Sequence, residues 1–400
     1  MWQLEAAPRR QPSPNDGCVR QSRVMTEGLI AVFHGSGKTF ELKRFPVPEP
    51  GPGEVLLRVT RCDICGSDLH MWRGDVELSD FGVSWPVALG HEAVGRVAAL
   101  GQGVTADARG AAIGENDRVV WAYNFPCGHC KACRRGQTNA CPVGAARMMS
   151  PVEQPPHFYG GFAQYYLLPA GGNLLRAPDE LGDEVLAPLN CALCQVMFGL
   201  AEVELETGET VVVQGCGGLG LLACAVARDR GAAKVIAIDR LAPRLELARR
   251  FGADEVIDAS AVDDPRARVK AVMNLTEGWG AEVVVEVAGL PDVVPEGIRM
   301  LARYGRYLEL GNISPRQTYK ADPSLLVGAN RRIFGVSFYR RETLGQALDF
   351  LSRTQTLHPY HDLVSHDFPL SRIDDAFAAA DSLRGNAQIV RAAVLPWAEA

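Results

Sequence analysis

The stretch from Thr210 to Asp239 limits the fold of this 400-residue chain more than any other. Val211-Val212-Val213-Gln214 reads as a short apolar strand, Gly215-Cys216-Gly217-Gly218-Leu219-Gly220 follows, and Leu221 to Arg230 carries apolar residues at helical spacing. A second short apolar strand, Lys234-Val235-Ile236-Ala237-Ile238, comes next. Two strands joined through a helix pair in parallel, and strands this apolar need cover on both faces. The glycines allow a tight turn and let a pyrophosphate approach the positive end of the following helix. Asp239, 24 positions after Gly215, ends the second strand where a carboxylate accepts hydrogen bonds from an adenine ribose. The cofactor-binding candidates are therefore Gly215, Gly217, Gly218, Leu219, Gly220 and Asp239. A carboxylate at Asp239 opposes a 2′-phosphate, so NAD is expected, with Arg240 and Arg244 keeping NADP as the less favoured choice.

The alternation continues through Glu255–Ile257, Glu282–Val287 and Gly305–Leu310, which predicts an α/β, doubly wound parallel sheet. Before it, Leu29–Phe33, Glu54–Val59 and Glu92–Val97 read as strands of a β-rich unit. After about residue 325 helices are expected near Leu344–Arg353 and Ile373–Leu383, with the chain returning to complete the first unit. Residues 1–24, with Pro8, Pro12 and Pro14 and no apolar periodicity, read as a disordered extension. A net charge of -6 with 22% charged residues disfavours nucleic acid and anionic membrane as partners. No apolar run reaches the ~18 residues needed to span a bilayer and the start lacks a secretory core, so a cytoplasmic location is expected.

Eleven cysteines, several at ligand spacing, favour reduced thiols and metal over disulfides. Ile64-Cys65-Gly66-Ser67-Asp68-Leu69-His70 places a thiol, a hydroxyl, a carboxylate and an imidazole together. Gly90-His91-Glu92 and Pro188-Leu189-Asn190-Cys191 add the donors that close a site. Cys65, His91 and Cys191 form a three-ligand set that leaves a fourth zinc position open for chemistry. Cys127, Cys130, Cys133 and Cys141 instead offer four thiolates, which saturate a structural zinc. Two zinc ions per chain are expected. The alternatives for the second set are weaker: surface thiols at that density oxidise, a nucleic-acid finger would bring a basic helix, and iron–sulfur spacings differ. Cys62 and Cys194, each three residues from a ligand, read as small buried hydrophobes.

Together with Tyr159-Gly160-Gly161-Phe162-Ala163-Gln164-Tyr165, these motifs make the chain resemble the zinc-dependent medium-chain alcohol dehydrogenases from Met25 to Pro396. The resemblance implies a GroES-like catalytic domain from residues 25–190 and 326–400, with the zinc lobe at about 122–145, around a Rossmann NAD-binding domain at 191–325. It implies an active site in the cleft between them, and a homodimer or homotetramer built through the nucleotide domain. Ser67 and His70 take the proton-relay positions, Asp68 orients a ligand imidazole, and Glu92 lies close behind the metal. Where some relatives carry a glutamate ligand before the Pro-Leu pair this chain has Ala187, which favours Cys191. The implied reaction is hydride transfer between an alcohol, of hydrophobic primary, secondary or cyclic type, and NAD, giving the aldehyde or ketone. Trp72, Phe81, Trp85, Tyr123 and Phe158 are candidates for an apolar pocket. The competing readings are a catalytically silent NAD-binding protein, a reductase working from carbonyl to alcohol, and a zinc-free quinone or enone reductase of the same superfamily.

Overall fold

The computed structural model describes residues 26–381 and 390–399, apart from the side chains of Asp80, Phe81, Ala145 and Met148. The expected extension at 1–24, the far end of the helix expected to reach Leu383, and the Phe81 ring lie outside the described residues.

Six parallel strands form the central sheet, in the spatial order Glu255–Asp258, Lys234–Asp239, Thr210–Gln214, Ala281–Glu286, Leu301–Glu309 and Arg332–Gly335. Strand periodicity explains why Val211, Val212 and Val213 are all fully buried. Val211 and Val213 pack under the helices Ala192–Glu202 and Gly218–Asp229, while Val212 packs on the other face with Val272, Val294 and Ile298. Each such valine contributes about 1.5–3 kcal/mol by leaving water. An aspartate at Val212 would strand a charge between two layers and break the sheet at its centre.

One expectation is corrected here. The chain does not leave this sheet near residue 325: Arg332–Gly335 pairs in parallel with Arg306–Glu309 as the sixth strand. Its residues, Arg-Ile-Phe-Gly, are mostly exposed because it is an edge strand, so it lacks the apolar run that marked its neighbours.

A seven-stranded mixed sheet carries the other half of the molecule. Val55–Asp63 lies at its centre, paired antiparallel with Glu92–Leu100 and Tyr165–Leu168. The last described strand, Ala392–Leu395, pairs antiparallel with Cys62–Asp63 and parallel with His366–Pro369. Both ends of the chain thus build one sheet, as the resemblance implied. A smaller sheet of Glu27–Phe33, Glu41–Pro46 and Val87–Ala88 completes this half. Cys65 lies two residues after the end of Val55–Asp63, and His91 one residue before the start of Glu92–Leu100.

Candidate metal centre and cofactor cleft

Cys65 follows the central strand at once and begins the helix Gly66–Arg73. His91 immediately precedes the strand Glu92–Leu100, after Gly90 at φ +89°. A side chain on Gly90 would place its Cβ 2.7 Å from the Phe162 nitrogen, so only glycine fits. Gly161 N–H donates to Gly90 O at 2.7 Å and Phe162 N–H to Leu89 O at 3.0 Å, so the Tyr159–Tyr165 motif clamps the His91 loop. Cys191 lies between the turn Ala187–Asn190 and the helix Ala192–Glu202.

These three segments converge: donor atoms of Cys65, His91, Glu92 and Cys191 all lie within 4.8 Å of one another, and all four residues are buried. The Cys65 and Cys191 sulfurs are 4.0 Å apart. A tetrahedral zinc with Zn–S bonds of about 2.3 Å spaces two thiolates by about 3.8 Å, so the donor set fits that ion in chemistry and in size. The hydrogen bond from Cys191, aided by His91, holds the Cys65 thiol well below its ordinary value against the desolvation that would raise it. Burial opposes charge on His91, yet Asp68 and Cys65 outweigh it and push His91 up to about 10. Asp68, wholly buried, ties the pieces together. It accepts from Cys65 N–H at 3.0 Å and Gly90 N–H at 3.3 Å, and one oxygen stands 3.5 Å from His91 Nδ1. That leaves Nε2 for the metal, the arrangement in which a carboxylate fixes a ligand imidazole.

Glu92 sits in the donor group, but Arg391 grips its carboxylate with two nitrogens, Nη2 to Oε1 at 3.1 Å and a short Nη1–Oε2 contact. The Arg391 side chain also packs directly on Gly218, at the start of the fingerprint helix. Sequence reading missed Arg391: it is one arginine before a short strand, in no motif, and only the pairing of Ala392–Leu395 with the metal-bearing strand brings it here.

The fingerprint forms as expected. Gly215 has φ +100°, and a Cβ on it would lie 2.8 Å from Ala288. Gly217, which caps the helix Gly218–Asp229, has open space where a side chain would be, leaving room for a phosphate at the helix N-terminus. Asp239 Oδ2 accepts from Cys216 N–H at 2.6 Å and Oδ1 from Leu241 N–H at 2.9 Å, which fixes its carboxylate beside the glycine turn. Arg240 is exposed and Arg244 half-buried on the same side.

Ser67 Oγ lies 3.4 Å from His91 Nε2, at the metal centre. His70 meets loops of the parallel sheet instead, its Nδ1 3.0 Å from Asp75 and 3.2 Å from Ser314 Oγ, its Nε2 3.8 Å from where a Cβ on Gly289 would sit. Gly289 and Asn312 belong to loops held by Glu286 and Glu309 at the ends of their strands. Burial and then the neighbouring Glu309 raise Glu286 to about 9.

Cys127, Cys130, Cys133 and Cys141 bring their sulfurs within 4.8 Å of one another. Cys130 and Cys141 are 3.9 Å apart, again a tetrahedral edge. Backbone N–H groups of Cys127, Cys130 and Cys133 donate to sulfurs at 3.3–3.5 Å. Desolvation would raise Cys141, which is buried, but the Cys127 and Gly144 N–H groups bring it down to about 6. The ten cysteines among the described residues are all free of disulfides. Cys62 and Cys194 are buried outside both donor groups, as packing residues. Of the expected aromatic residues whose side chains are described, only Tyr123 reaches the metal donors, its ring 4.8 Å from His91. Trp72 packs on Phe377, Trp85 on Phe33, and Phe158 in a separate core against Tyr165. Single aromatic residues carry no signal of which core they join.

Two metal-fitting thiolate clusters and a glycine turn at a parallel sheet define a metal-binding oxidoreductase, and comparison with known proteins makes the class specific. Residues 51–179 match the family described as alcohol dehydrogenase GroES-like domain, and residues 218–353 the one described as zinc-binding dehydrogenase. The chain is 35% identical to 5-exo-hydroxycamphor dehydrogenase of Pseudomonas putida over 86% of its own length and 92% of that relative's. It is 32% identical to L-threonine 3-dehydrogenase of Aeromonas salmonicida, over 84% and 91% of the two chains. The solved alcohol dehydrogenase of Thermotoga maritima superposes with a TM-score of 0.84 at 26% identity, covering 92% of this chain and 99% of that one. The chain belongs to the zinc-dependent alcohol dehydrogenase family of medium-chain dehydrogenases.

Proposed function

We propose that the protein oxidises an alcohol to the aldehyde or ketone with NAD, using one zinc held by Cys65, His91 and Cys191 and a second held by the four-cysteine lobe. The observation that carries this reading is the convergence of three distant donors, with the Ser67 hydroxyl beside them. Zinc held by Cys65, His91 and Cys191 would supply Lewis acidity, which lowers the pKa of a bound oxygen. Asp68 holds His91 in the tautomer that ligates. Ser67 takes the proton of the substrate hydroxyl while giving up its own, and His70, anchored by Asp75, receives protons on their way to solvent. Glu92 and Arg391 neutralise each other behind the metal, and Arg391, against Gly218, is placed to meet a pyrophosphate.

Asp239 supports NAD: its fixed carboxylate suits a ribose diol and repels a phosphate dianion. We expect kcat/KM with NAD to exceed that with NADP, and Asp239→Ser to narrow the gap; a wild-type preference for NADP would refute the assignment. The exposed edge Arg332–Gly335, with Ile333 and Val327 exposed beside it, supports assembly through the nucleotide sheet. Free cysteines throughout the described residues suit a reducing cytoplasm. Among the described helices, no single one is long and apolar enough to cross a membrane. The test of the reaction is a panel of alcohols with NAD, followed by absorbance at 340 nm, together with metal analysis expecting two zinc ions per chain. An inactive protein that binds NAD with both zincs would favour the silent-binder reading.

A further inference from the structure

A stack of rings packs against the donors of the metal site. Tyr123 lies 4.8 Å from the His91 ring, and its hydroxyl donates to Cys191 Sγ at 3.6 Å. Phe338 lies 5.7 Å from Tyr123, and Tyr339 6.1 Å from it. Tyr123 and Tyr339 are buried at 5% and 4% exposure, and the Tyr339 hydroxyl is used on Asn190 O. Phe338 alone of the three is half-exposed, so it is the ring in this stack that a molecule entering from solvent can meet.

Its backbone is unusual. Phe338 has φ +58°, a left-handed conformation that bulky residues rarely adopt and that persists only where the surroundings impose it. The surroundings do so from both sides. Val336 N–H is bonded to Glu309 O at 3.2 Å, Tyr339 is tied to Asn190, and Arg340 pairs with Glu202 at 3.2 Å while covering the Phe198 ring at 5.4 Å. A glycine or asparagine would meet this backbone without strain, yet the position holds an aromatic ring.

We propose that Phe338 is the specificity-determining wall of the substrate cleft, selecting alcohols with a bulky apolar body, cyclic or aromatic, over small or zwitterionic ones. The inference rests on the alcohol-oxidation reading above. A ring offers area and no hydrogen bond, so it rewards apolar substrate surface, whereas an α-amino acid would bring a carboxylate and an ammonium that need partners.

The test compares wild type, Phe338→Gly and Phe338→Tyr, each checked for two zincs and for NAD binding. Glycine accepts the positive φ, so that variant removes the ring while relaxing the backbone. The ratio of kcat/KM for cyclohexanol to that for ethanol is expected to fall about 10–100-fold in Phe338→Gly, the range that a lost apolar contact commands, and to be retained in Phe338→Tyr. Dissociation constants of cyclohexanecarboxamide and acetamide in the NADH complex should show the same divergence without turnover. A ratio that moves less than about threefold in Phe338→Gly overturns the proposal, as does equal loss in the tyrosine variant or a wild-type preference for L-threonine over cyclohexanol. Wild type inactive on every alcohol and carbonyl overturns the alcohol reading as well, so the two failures are distinct.

Discussion

The two cysteine clusters use similar donors in opposite ways. The lobe gathers four sulfurs from one 15-residue segment, Cys127 to Cys141, with three of the four partly exposed and backbone N–H groups as their polar partners. The other site draws Cys65, His91 and Cys191 from three segments up to 126 residues apart, all buried, with a carboxylate to orient the imidazole. The difference teaches that closure and range go together. A local cluster can complete its own coordination, while a site assembled by the fold can leave a position open and surround it with chemistry.

The largest expected effect that tests this contrast is in Cys65→Ser. Losing the Lewis acid should lower kcat by at least about 10³-fold, since such polarisation supplies several kcal/mol, while the lobe and the melting temperature change little. Full activity in that variant would end the comparison. Next, Ser67→Ala should retain both zincs and NAD while kcat falls about 10²–10⁴-fold, the usual contribution of a positioned proton transfer; the check is kcat beside metal content. Asp68→Asn should weaken zinc binding or activity by about 10–100-fold, since it removes the charge that orients His91. Competition with a chromophoric chelator measures it, and an unchanged zinc affinity and rate would show that backbone contacts alone fix His91. The smallest effect on chemistry belongs to Cys130→Ser, whose damage should appear as a lower melting temperature or altered assembly, with kcat per intact chain nearly preserved. With excess chelator, activity should disappear before the lobe unfolds; the reverse order would mean the open site is the tighter one.

Much of this was legible beforehand because the signals are local. Val211–Val213 with Gly215–Gly220 forms as read, and so does the lobe, whose spacing alone carries its donors. Cys65, His91 and Cys191 could be named from their motifs but not joined by them. Arg391 was invisible, since its role exists only once the last strand pairs beside Cys62. Arg332–Gly335 escaped for a related reason: an edge strand needs less apolar surface, and periodicity reads burial. Of the four aromatic guesses that fall on described side chains, three, Trp72, Trp85 and Phe158, pack away from the metal donors, because a ring in a sequence says that it packs and not against what.

The sequence by itself determined the parallel sheet, the glycine turn and both donor inventories, because backbone conformation, burial on two faces and ligand chemistry act over a few neighbouring residues. Tertiary structure alone decided that Glu92 is clamped by Arg391, that His70 meets Gly289 and Ser314, and that Phe338 caps the ring stack beginning at His91. Those contacts join residues tens to hundreds of positions apart, and their geometry is fixed only when distant strands pair within the mixed sheet and the two sheets pack over a shared core.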